Sequence, residues 1–230
     1  MGGWYQTRVI STRASAAGLT EVHLDVKGTP LEGAHQRPGQ FVRLTLEGKG
    51  EGFFAIASSP GADPHRLELL VKAGTPLTEA LVSLRPGELV LASKVEGVGF
   101  PVERAEGGDV LLFATGSGIS PLRSLVGVLL RHRGRFGRLS LFFGVRTPDG
   151  FAYTADLELW RRAGMEVVQT VSQPGDSGWE GLTGYVQEHV PTADLSGAAA
   201  FLCGQAEMVH GVTDVLIRRG LPRDRIFLNY

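Results

Sequence analysis

The first hundred residues alternate hydrophobic and polar positions in short runs that are separated by turn signals. The runs at residues 5–12, 21–26, 41–46, 53–57, 66–72 and 88–93 have the length and alternation of half-buried strands. Pro-Gly pairs at 38–39, 60–61 and 86–87 punctuate them, and residues 77–84 have the pattern of one short helix. Six short strands at this spacing predict a small antiparallel β-barrel, a fold that can carry a ligand on one outer face.

From residue 109 onward, apolar runs alternate with helical segments. Strands are predicted at residues 110–114, 139–145, 166–172, 198–203 and 224–230, and four of them are almost continuously apolar, as buried parallel strands are. Helices are predicted at 122–131, 153–162, 184–190 and 207–219. This alternation predicts a doubly wound sheet of five parallel strands, and we expect the common order 3-2-1-4-5. The polar segment 103–108 divides the chain into residues 1–104 and 105–230.

Composition and charge exclude several classes of function. The chain has 23 Lys and Arg against 24 Asp and Glu, so no basic surface is expected for nucleic acid or an anionic membrane. Cys203 is the single cysteine, which rules out an intramolecular disulfide, a cysteine-based zinc site or an iron–sulfur cluster within the chain. The six histidines show no metal-ligand spacing. Without a run of about 18 apolar residues or a signal-peptide pattern, we expect a cytoplasmic protein without a membrane span.

A glycine turn follows the first strand of the second half. Residues 110–122 (VLLFATGSGISPL) run from a buried strand through Gly-x-Gly into a helix. Glycines let the backbone approach a pyrophosphate, and the helix N-terminus offers N–H groups and a positive dipole end. Ser120 is expected to cap this helix and Pro121 to be its first residue. The segment predicts a dinucleotide phosphate site, with an ordinary tight turn as the alternative. The usual third glycine is replaced by Pro121, and no acidic residue ends the second strand.

Cys203 ends the fourth predicted strand of the second half, in the segment 201–208 (FLCGQAEM). In the order 3-2-1-4-5 the first and fourth strands are neighbours, and their carboxyl ends face one crevice. Cys203 is therefore expected opposite the Gly116 turn. The alternative is a small buried hydrophobic side chain without a chemical role.

These motifs resemble the ferredoxin–NADP reductase family. Residues 115–121 (TGSGISP), 144–147 (GVRT), 183–186 (TGYV) and 203–204 (CG) followed by Met208 look like its pyridine-nucleotide domain. Residues 37–42 (RPGQFV) and 56–60 (IASSP) look like its flavin-binding barrel. The resemblance implies a six-stranded antiparallel barrel followed by a five-stranded parallel sheet. It further implies FAD, or alternatively FMN, at their junction and hydride transfer from NAD(P)H to flavin N5.

The resemblance also implies roles for individual residues. Cys203 would lie beside the nicotinamide, and Tyr230, the last residue, would cover the other face of the flavin or else be a frayed terminus. The residues implied in nucleotide binding are Gly116, Gly118, Ile119, Ser120, Pro121, Arg146, Ser172, Gln173 and Gly204. The residues implied in flavin binding are Phe54, Ala55, Ile56, Ala57, Ser58, Leu70, Val71, Lys72, Gly74 and Thr78.

The flavin motif of this chain departs from the family pattern. Members have Arg-x-Tyr-Ser where this chain has residues 52–55 (GFFA). Phe54 keeps an aromatic ring for stacking, but Gly52 supplies no charge for a flavin phosphate and Ala55 no hydroxyl. Flavin is therefore expected to be held weakly, to be held through Lys72 or Arg43, or to be lost.

Two hypotheses about function remain. The leading one is a flavin-dependent NAD(P)H oxidoreductase that passes electrons to a separate acceptor, protein or small molecule, since the chain has no cluster of its own. NAD is slightly favoured because Gln173 stands where NADP-using members often have Arg, although Arg146 leaves NADP open. The alternative is a non-catalytic nucleotide-binding or partner-binding module on the same two-domain scaffold, with flavin lost.

Overall fold

Two six-stranded sheets follow one another along the chain in the computed structural model, which describes residues 3–229. The first sheet is antiparallel, with the order β4-β3-β6-β1-β2-β5, and one short helix, α1, packs at its end. The elements are β1 (Tyr5–Ala16), β2 (Leu19–Asp25), β3 (Phe41–Thr45), β4 (Glu51–Ala55), β5 (Arg66–Lys72), α1 (Pro76–Val82) and β6 (Leu89–Ala92).

The first sheet curls around a core of aliphatic side chains. Val22, Leu24 and Leu44 are fully buried, because alternate positions of each strand point inward. Its edge strands β4 and β5 approach each other where Ile56 and Leu69 form an isolated bridge. The predicted six-stranded antiparallel architecture is confirmed.

The second sheet is parallel and has the order β10-β9-β8-β7-β11-β12. The five predicted strands occur in the predicted order 3-2-1-4-5, so the doubly wound arrangement is confirmed. One further edge strand of two residues, β10, makes the sheet six-stranded and was not predicted. The elements are β7 (Val110–Thr115), α2 (Ile119–Arg131), β8 (Leu139–Val145), α3 (Thr154–Arg162), β9 (Glu166–Val171), β10 (Leu182–Thr183), β11 (Ala199–Cys203), α4 (Ala206–Arg218) and β12 (Ile226–Leu228).

The predicted helix at residues 184–190 is wrong. Gly184 has a φ of +91°, a left-handed conformation that does not continue a helix, and its N–H donates to the Val171 carbonyl at 3.1 Å. A single 3-10 turn, Val186–His189, follows. Val186 and Val190 are both buried, and this spacing of four produces the helical pattern in the sequence.

The start of α2 also differs from the prediction. A 3-10 turn at Gly116–Gly118 runs directly into the helix at Ile119, so Ser120 is the second helical residue and Pro121 the third. The Ser120 hydroxyl does not cap the helix. It donates instead to the Ala55 carbonyl at 3.0 Å. Pro121 is tolerated because first-turn N–H groups have no acceptor within a helix.

One face of α2 joins the two halves of the molecule. The Ser124 hydroxyl donates to the Ser58 carbonyl at 2.8 Å, and the Ser59 hydroxyl donates to the Ser124 carbonyl at 3.0 Å. Arg131 donates to the Pro60 carbonyl at 2.9 Å. We call this face the α2 seam; its residues are Ser120, Arg123, Ser124, Gly127 and Arg131. Within residues 3–229, no helix has the length and apolar character needed to cross a membrane.

Candidate functional site

A cleft of about 1290 Å³ lies between the carboxyl ends of β7, β8, β9 and β11 and the barrel strands β4 and β5. This is the crevice that a doubly wound sheet forms where its strand order reverses. It brings candidates from both halves of the chain to one place. The predicted residues that line it are Phe54, Ala55, Leu70, Lys72, Gly116, Gly118, Ser120, Pro121, Arg146, Ser172, Gln173, Cys203 and Gly204.

Other predicted residues lie outside the lining of the cleft. Fully buried Ile56, Ala57, Val71 and Ile119 can reach a ligand only through their backbone. The Ser58 hydroxyl accepts the Glu68 N–H at 3.2 Å, and the Ser58 carbonyl belongs to the contact with the α2 seam. Gly74 lies just before the N-cap residue of α1, and Thr78 is the third residue of that helix. Tyr230 lies outside the described residues.

Close packing requires glycine at position 118 in the α2 turn and at position 204 after β11. β7 and β11 are adjacent, with Cys203 paired with Ala114, and a Cβ on Gly118 would overlap the carbonyl of Cys203. A Cβ on Gly204 would overlap the Thr115 hydroxyl. The two backbone segments therefore form a continuous surface in which the start of α2 faces the cleft, as binding of a pyrophosphate requires.

Cys203 lines the cleft at the end of β11 as a neutral thiol. Burial raises the pKa of Cys203 to about 11, and a hydrogen bond with the Asn229 side chain only partly opposes this. Asn229 is itself held by its N–H, which donates to the Leu202 carbonyl at 3.2 Å. At neutral pH the thiol is protonated and is a poor nucleophile. Its chemistry suits contact with an uncharged ring rather than covalent catalysis.

Arg146 and Gln173 form a pair at the far end of the cleft. The Arg146 Nε donates to the Gln173 Oε1 at 2.7 Å, and the Gln173 N–H donates to the Arg146 carbonyl at 2.8 Å. Ser172 lies beside them, its N–H donating to the Val145 carbonyl at 3.0 Å. Gln173 thus orients the guanidinium, whose terminal nitrogens form no ion pair within the part of the chain that the structure describes.

The two phenylalanines of β4 have opposite environments. Phe54, 8% exposed, belongs to the barrel core and has its ring over Gly52, where a Cβ would lie 3.1 Å from it. Phe53 is 69% exposed, and its ring centroid lies 5.6 Å from that of Phe41. Phe53 also lines the cleft and was missed, because the family pattern assigns stacking to position 54. Strand alternation was the signal that could have identified it.

The two cations considered for a flavin phosphate differ in availability. Arg43 donates from Nε to Glu96 at 3.0 Å, pairs with Glu51 at 3.4 Å and lies over the Trp4 ring. It does not line the cleft. Lys72 is exposed in the cleft at the end of β5. Of the two, only Lys72 is placed to meet a ligand.

Arg123 on the α2 seam is a partly buried residue that the sequence prediction missed. Its Nε donates to Asp156 at 2.6 Å, and one terminal nitrogen donates to Glu68 at 2.7 Å and to the Ala57 carbonyl at 3.1 Å. Burial would lower the pKa of Arg123, but the two carboxylates outweigh it and hold that pKa above its usual value. The guanidinium also lies 4.7 Å from the Tyr153 ring centroid. Nothing in the sequence distinguishes this arginine from a solvated helix residue.

Comparison with known proteins places both halves of the chain among redox enzymes. The family model of the oxidoreductase NAD-binding domain matches residues 112–214. The gamma subunit of sulfhydrogenase 1 from Pyrococcus furiosus is 32% identical over 198 residues, 84% of this chain and 67% of that protein. Ferredoxin–NADP reductase B from Sorangium cellulosum is 33% identical over 204 residues, 82% of each chain. A ferredoxin NADP⁺ reductase from Neisseria gonorrhoeae with bound FAD and NADP has the same fold, with a TM-score of 0.80 at 20% identity over 100% of both chains.

Proposed function

Because this chain belongs to the ferredoxin–NADP reductase family, we propose that it is a flavin-dependent NAD(P)H oxidoreductase that delivers electrons to a separate acceptor. One observation carries the proposal: a single cleft in which the Gly116 turn and Cys203 face Leu70 and Lys72 of the barrel. A bound flavin would take a hydride from the nicotinamide and release its electrons onward. The protein supplies binding, orientation and exclusion of water.

The nucleotide half of the cleft is proposed to bind NAD(P)H along its whole length. The turn at Gly116–Gly118 and the start of α2 hold the pyrophosphate through backbone N–H groups. Arg146, Ser172 and Gln173 receive the adenosine end, while Cys203 and Gly204 contact the nicotinamide. Gln173 accepts a hydrogen bond from one N–H of Arg146 and adds no positive charge for a 2′-phosphate. This slightly favours NADH over NADPH.

The barrel half is proposed to bind the flavin ring along β5. This strand pairs with β2 on one side. On its other side it forms the isolated bridge at Leu69 and the hydrogen bonds of Glu68 with the Ala57 N–H and the Ser58 hydroxyl, but no strand ladder within residues 3–229. An unpaired strand edge presents N–H and C=O groups, and Leu70 and Lys72 lie on this one, within the cleft. Such an edge fits the polar rim of an isoalloxazine. Ala55 contributes apolar surface but no hydroxyl.

The proposal predicts oxidation of NADH that depends on flavin. The purified protein is mixed with NADH and ferricyanide, with and without added FAD, and the nicotinamide absorbance is followed. Turnover is expected with FAD at a rate well above that of FAD and NADH without protein. The competing function, a non-catalytic binding module, is favoured by Gly52 and Ala55 and predicts that NADH binds but is not oxidised. That result, with NADH binding measured by calorimetry, would reject the enzyme.

A further inference from the structure

The barrel side of the cleft is almost entirely apolar. Phe53, Phe54, Ala55, Leu70 and Lys72 line it, and of these only Lys72 carries a charge. A phosphate bound there needs hydrogen-bond donors or cations, since transfer of an anion onto apolar surface is unfavourable. The neighbouring groups that could supply them are strand position 52, the start of α1, Arg43 and Lys72.

Position 52 offers a phosphate neither a side-chain donor nor space. Gly52 has no side chain, and the volume next to its Cα is filled by the Phe54 ring at 3.1 Å and by Leu77 of α1 at 3.2 Å from an ideal Cβ. Phe54 and Leu77 belong to the barrel core. This corner is therefore packed with hydrocarbon.

The start of α1 is already closed by its own side chains. The Thr78 N–H donates to the Thr75 hydroxyl at 3.2 Å, and the Thr75 N–H donates to the Thr78 hydroxyl at 2.9 Å. Pro76 has no N–H to offer, and the helix is only 7 residues long. The groups that usually attract an anion to a helix start are thus largely satisfied within the chain.

The cations on this side contribute little to a phosphate. Arg43 is held by Glu96 at 3.0 Å and by Glu51 at 3.4 Å, outside the cleft. Lys72 is exposed, and an ion pair with a solvated lysine changes affinity by no more than about fivefold. A ligand on this side must therefore bind to the apolar surface of Ala55 and Leu70 and to the open edge of β5.

We propose that flavin binds in this cleft through its ring and not through its phosphates, so that riboflavin, FMN and FAD bind alike and exchange with solution. The inference rests on the proposed function, and it identifies the separate acceptor as the diffusible flavin itself. NAD(P)H and one proton transfer two electrons and two hydrogens to the oxidised flavin. NAD(P)⁺ and reduced flavin then leave the protein.

The first test compares the dissociation constants of the three flavins for the unaltered protein, measured by quenching of flavin fluorescence. We expect riboflavin, FMN and FAD to bind within about fivefold of one another, with little dependence on salt concentration. A phosphate fixed by an arginine would instead favour FMN by about 10- to 100-fold. FMN or FAD binding more than about tenfold tighter than riboflavin overturns the inference and leaves the proposed function intact. Failure of all three flavins to bind overturns both.

The second test restores a charge at position 52. Gly52→Arg is compared with Gly52→Gln, which meets Phe54 and Leu77 at the same Cβ position but has no charge. We expect Gly52→Arg to bind FMN and FAD about tenfold more tightly than Gly52→Gln, with equal affinity for riboflavin. Equal affinities of the two variants for FMN contradict the inference. So does tighter binding of riboflavin as well as FMN by Gly52→Arg. The comparison of flavins on the unaltered protein decides the question without either variant.

Discussion

At the scale of the residue, the cleft depends on positions where no side chain fits. Gly118 and Gly204 let the start of α2 and the end of β11 touch, and this contact places Cys203 beside the nucleotide turn. The thiol itself is neutral at physiological pH because burial raises its pKa to about 11. The contribution of this corner is therefore shape and an uncharged surface, not acid–base chemistry.

The substitution Gly118→Ala tests this close packing. Its Cβ would overlap the carbonyl of Cys203, which is backbone and cannot rotate away, so β11 and the turn must separate. We expect a loss of about 1–3 kcal/mol in the free energy of unfolding and weaker NADH binding. The matched control is Gly134→Ala, which meets no atom within 4 Å and should change stability by less than about 0.5 kcal/mol. Equal unfolding midpoints in urea for the two variants would contradict the packing argument.

At the scale of the element, helix α2 serves both halves of the molecule. Its first turn faces the nucleotide cleft, while residues of the α2 seam form hydrogen bonds with barrel residues 55–60. Arg123 adds a cation that joins Glu68 of β5 to Asp156 of α3. One helix thereby fixes the distance between the nucleotide turn and the barrel wall, which hydride transfer requires to be short.

Arg123→Met is expected to weaken this junction. It leaves the carboxylates of Glu68 and Asp156 without their shared cation, and the arginine side chain it removes is only 22% exposed. The predicted loss is about 2–3 kcal/mol in the free energy of unfolding, less than for a fully buried pair. Arg135→Met, which removes an exposed pair with Glu106, is the control and should lose less than about 1 kcal/mol. Urea unfolding measures both, and similar losses in the two variants would show that Arg123 is only a surface charge.

The sequence predicted elements whose pattern is local and missed features that depend on tertiary contacts. The five parallel strands were predictable because strands such as β7 and β8 are almost continuously apolar. The false helix at 184–190 arose because Val186 and Val190 reach the core from a turn, at a spacing that imitates a helix. Ser120 was expected at the helix cap, but its hydroxyl bonds to Ala55, 65 positions earlier in the chain. Local patterns carry no information about partners so distant.

The candidate site shows the same division between local and distant information. The glycine turn and Cys203 were identified from motifs because their chemistry follows from adjacent residues. The capping box of Thr75 and Thr78 and the packing of Phe54 over Gly52 are properties of the folded barrel. These features change the interpretation of the flavin side from a phosphate site to an apolar wall.

At the scale of the whole molecule, the cleft exists only while the two halves stay joined. A second cavity of about 600 Å³ lies on the side of α2 away from the cleft, and His35, Phe100 and Arg131 line it. His35 comes from the barrel half and Arg131 from the α2 seam. Protonation of His35 therefore places a charge in a cavity that residues of both halves line.

The last prediction concerns stability as a function of pH. Burial lowers the pKa of His35 from its ordinary 6.5 to about 4, although the Arg37 carbonyl opposes this. Burial alone would raise the pKa of Glu21, but the His23 ring 3.5 Å away and hydrogen bonds from Arg13 and Ser15 outweigh burial and hold that pKa at about 2 instead of 4.5. In both cases the unfolded chain takes up its proton at a higher pH than the folded protein does. The stabilisation that depends on these two groups is therefore complete above pH 6.5 and decreases as the pH is lowered.

The two groups act in successive pH windows, so single variants separate them. The unaltered protein should lose about 3 kcal/mol in the free energy of unfolding between pH 6.5 and 4 through His35, because the folded protein resists protonation there. Glu21 adds a further loss between pH 4.5 and 2. His35→Gln should abolish the loss of unfolding free energy between pH 6.5 and 4 and keep the loss between pH 4.5 and 2. Glu21→Gln should keep the first loss and abolish the second. Urea unfolding at a series of pH values measures both, and a flat profile between pH 6.5 and 4 in the unaltered protein would show that His35 is accessible to protons in the folded state.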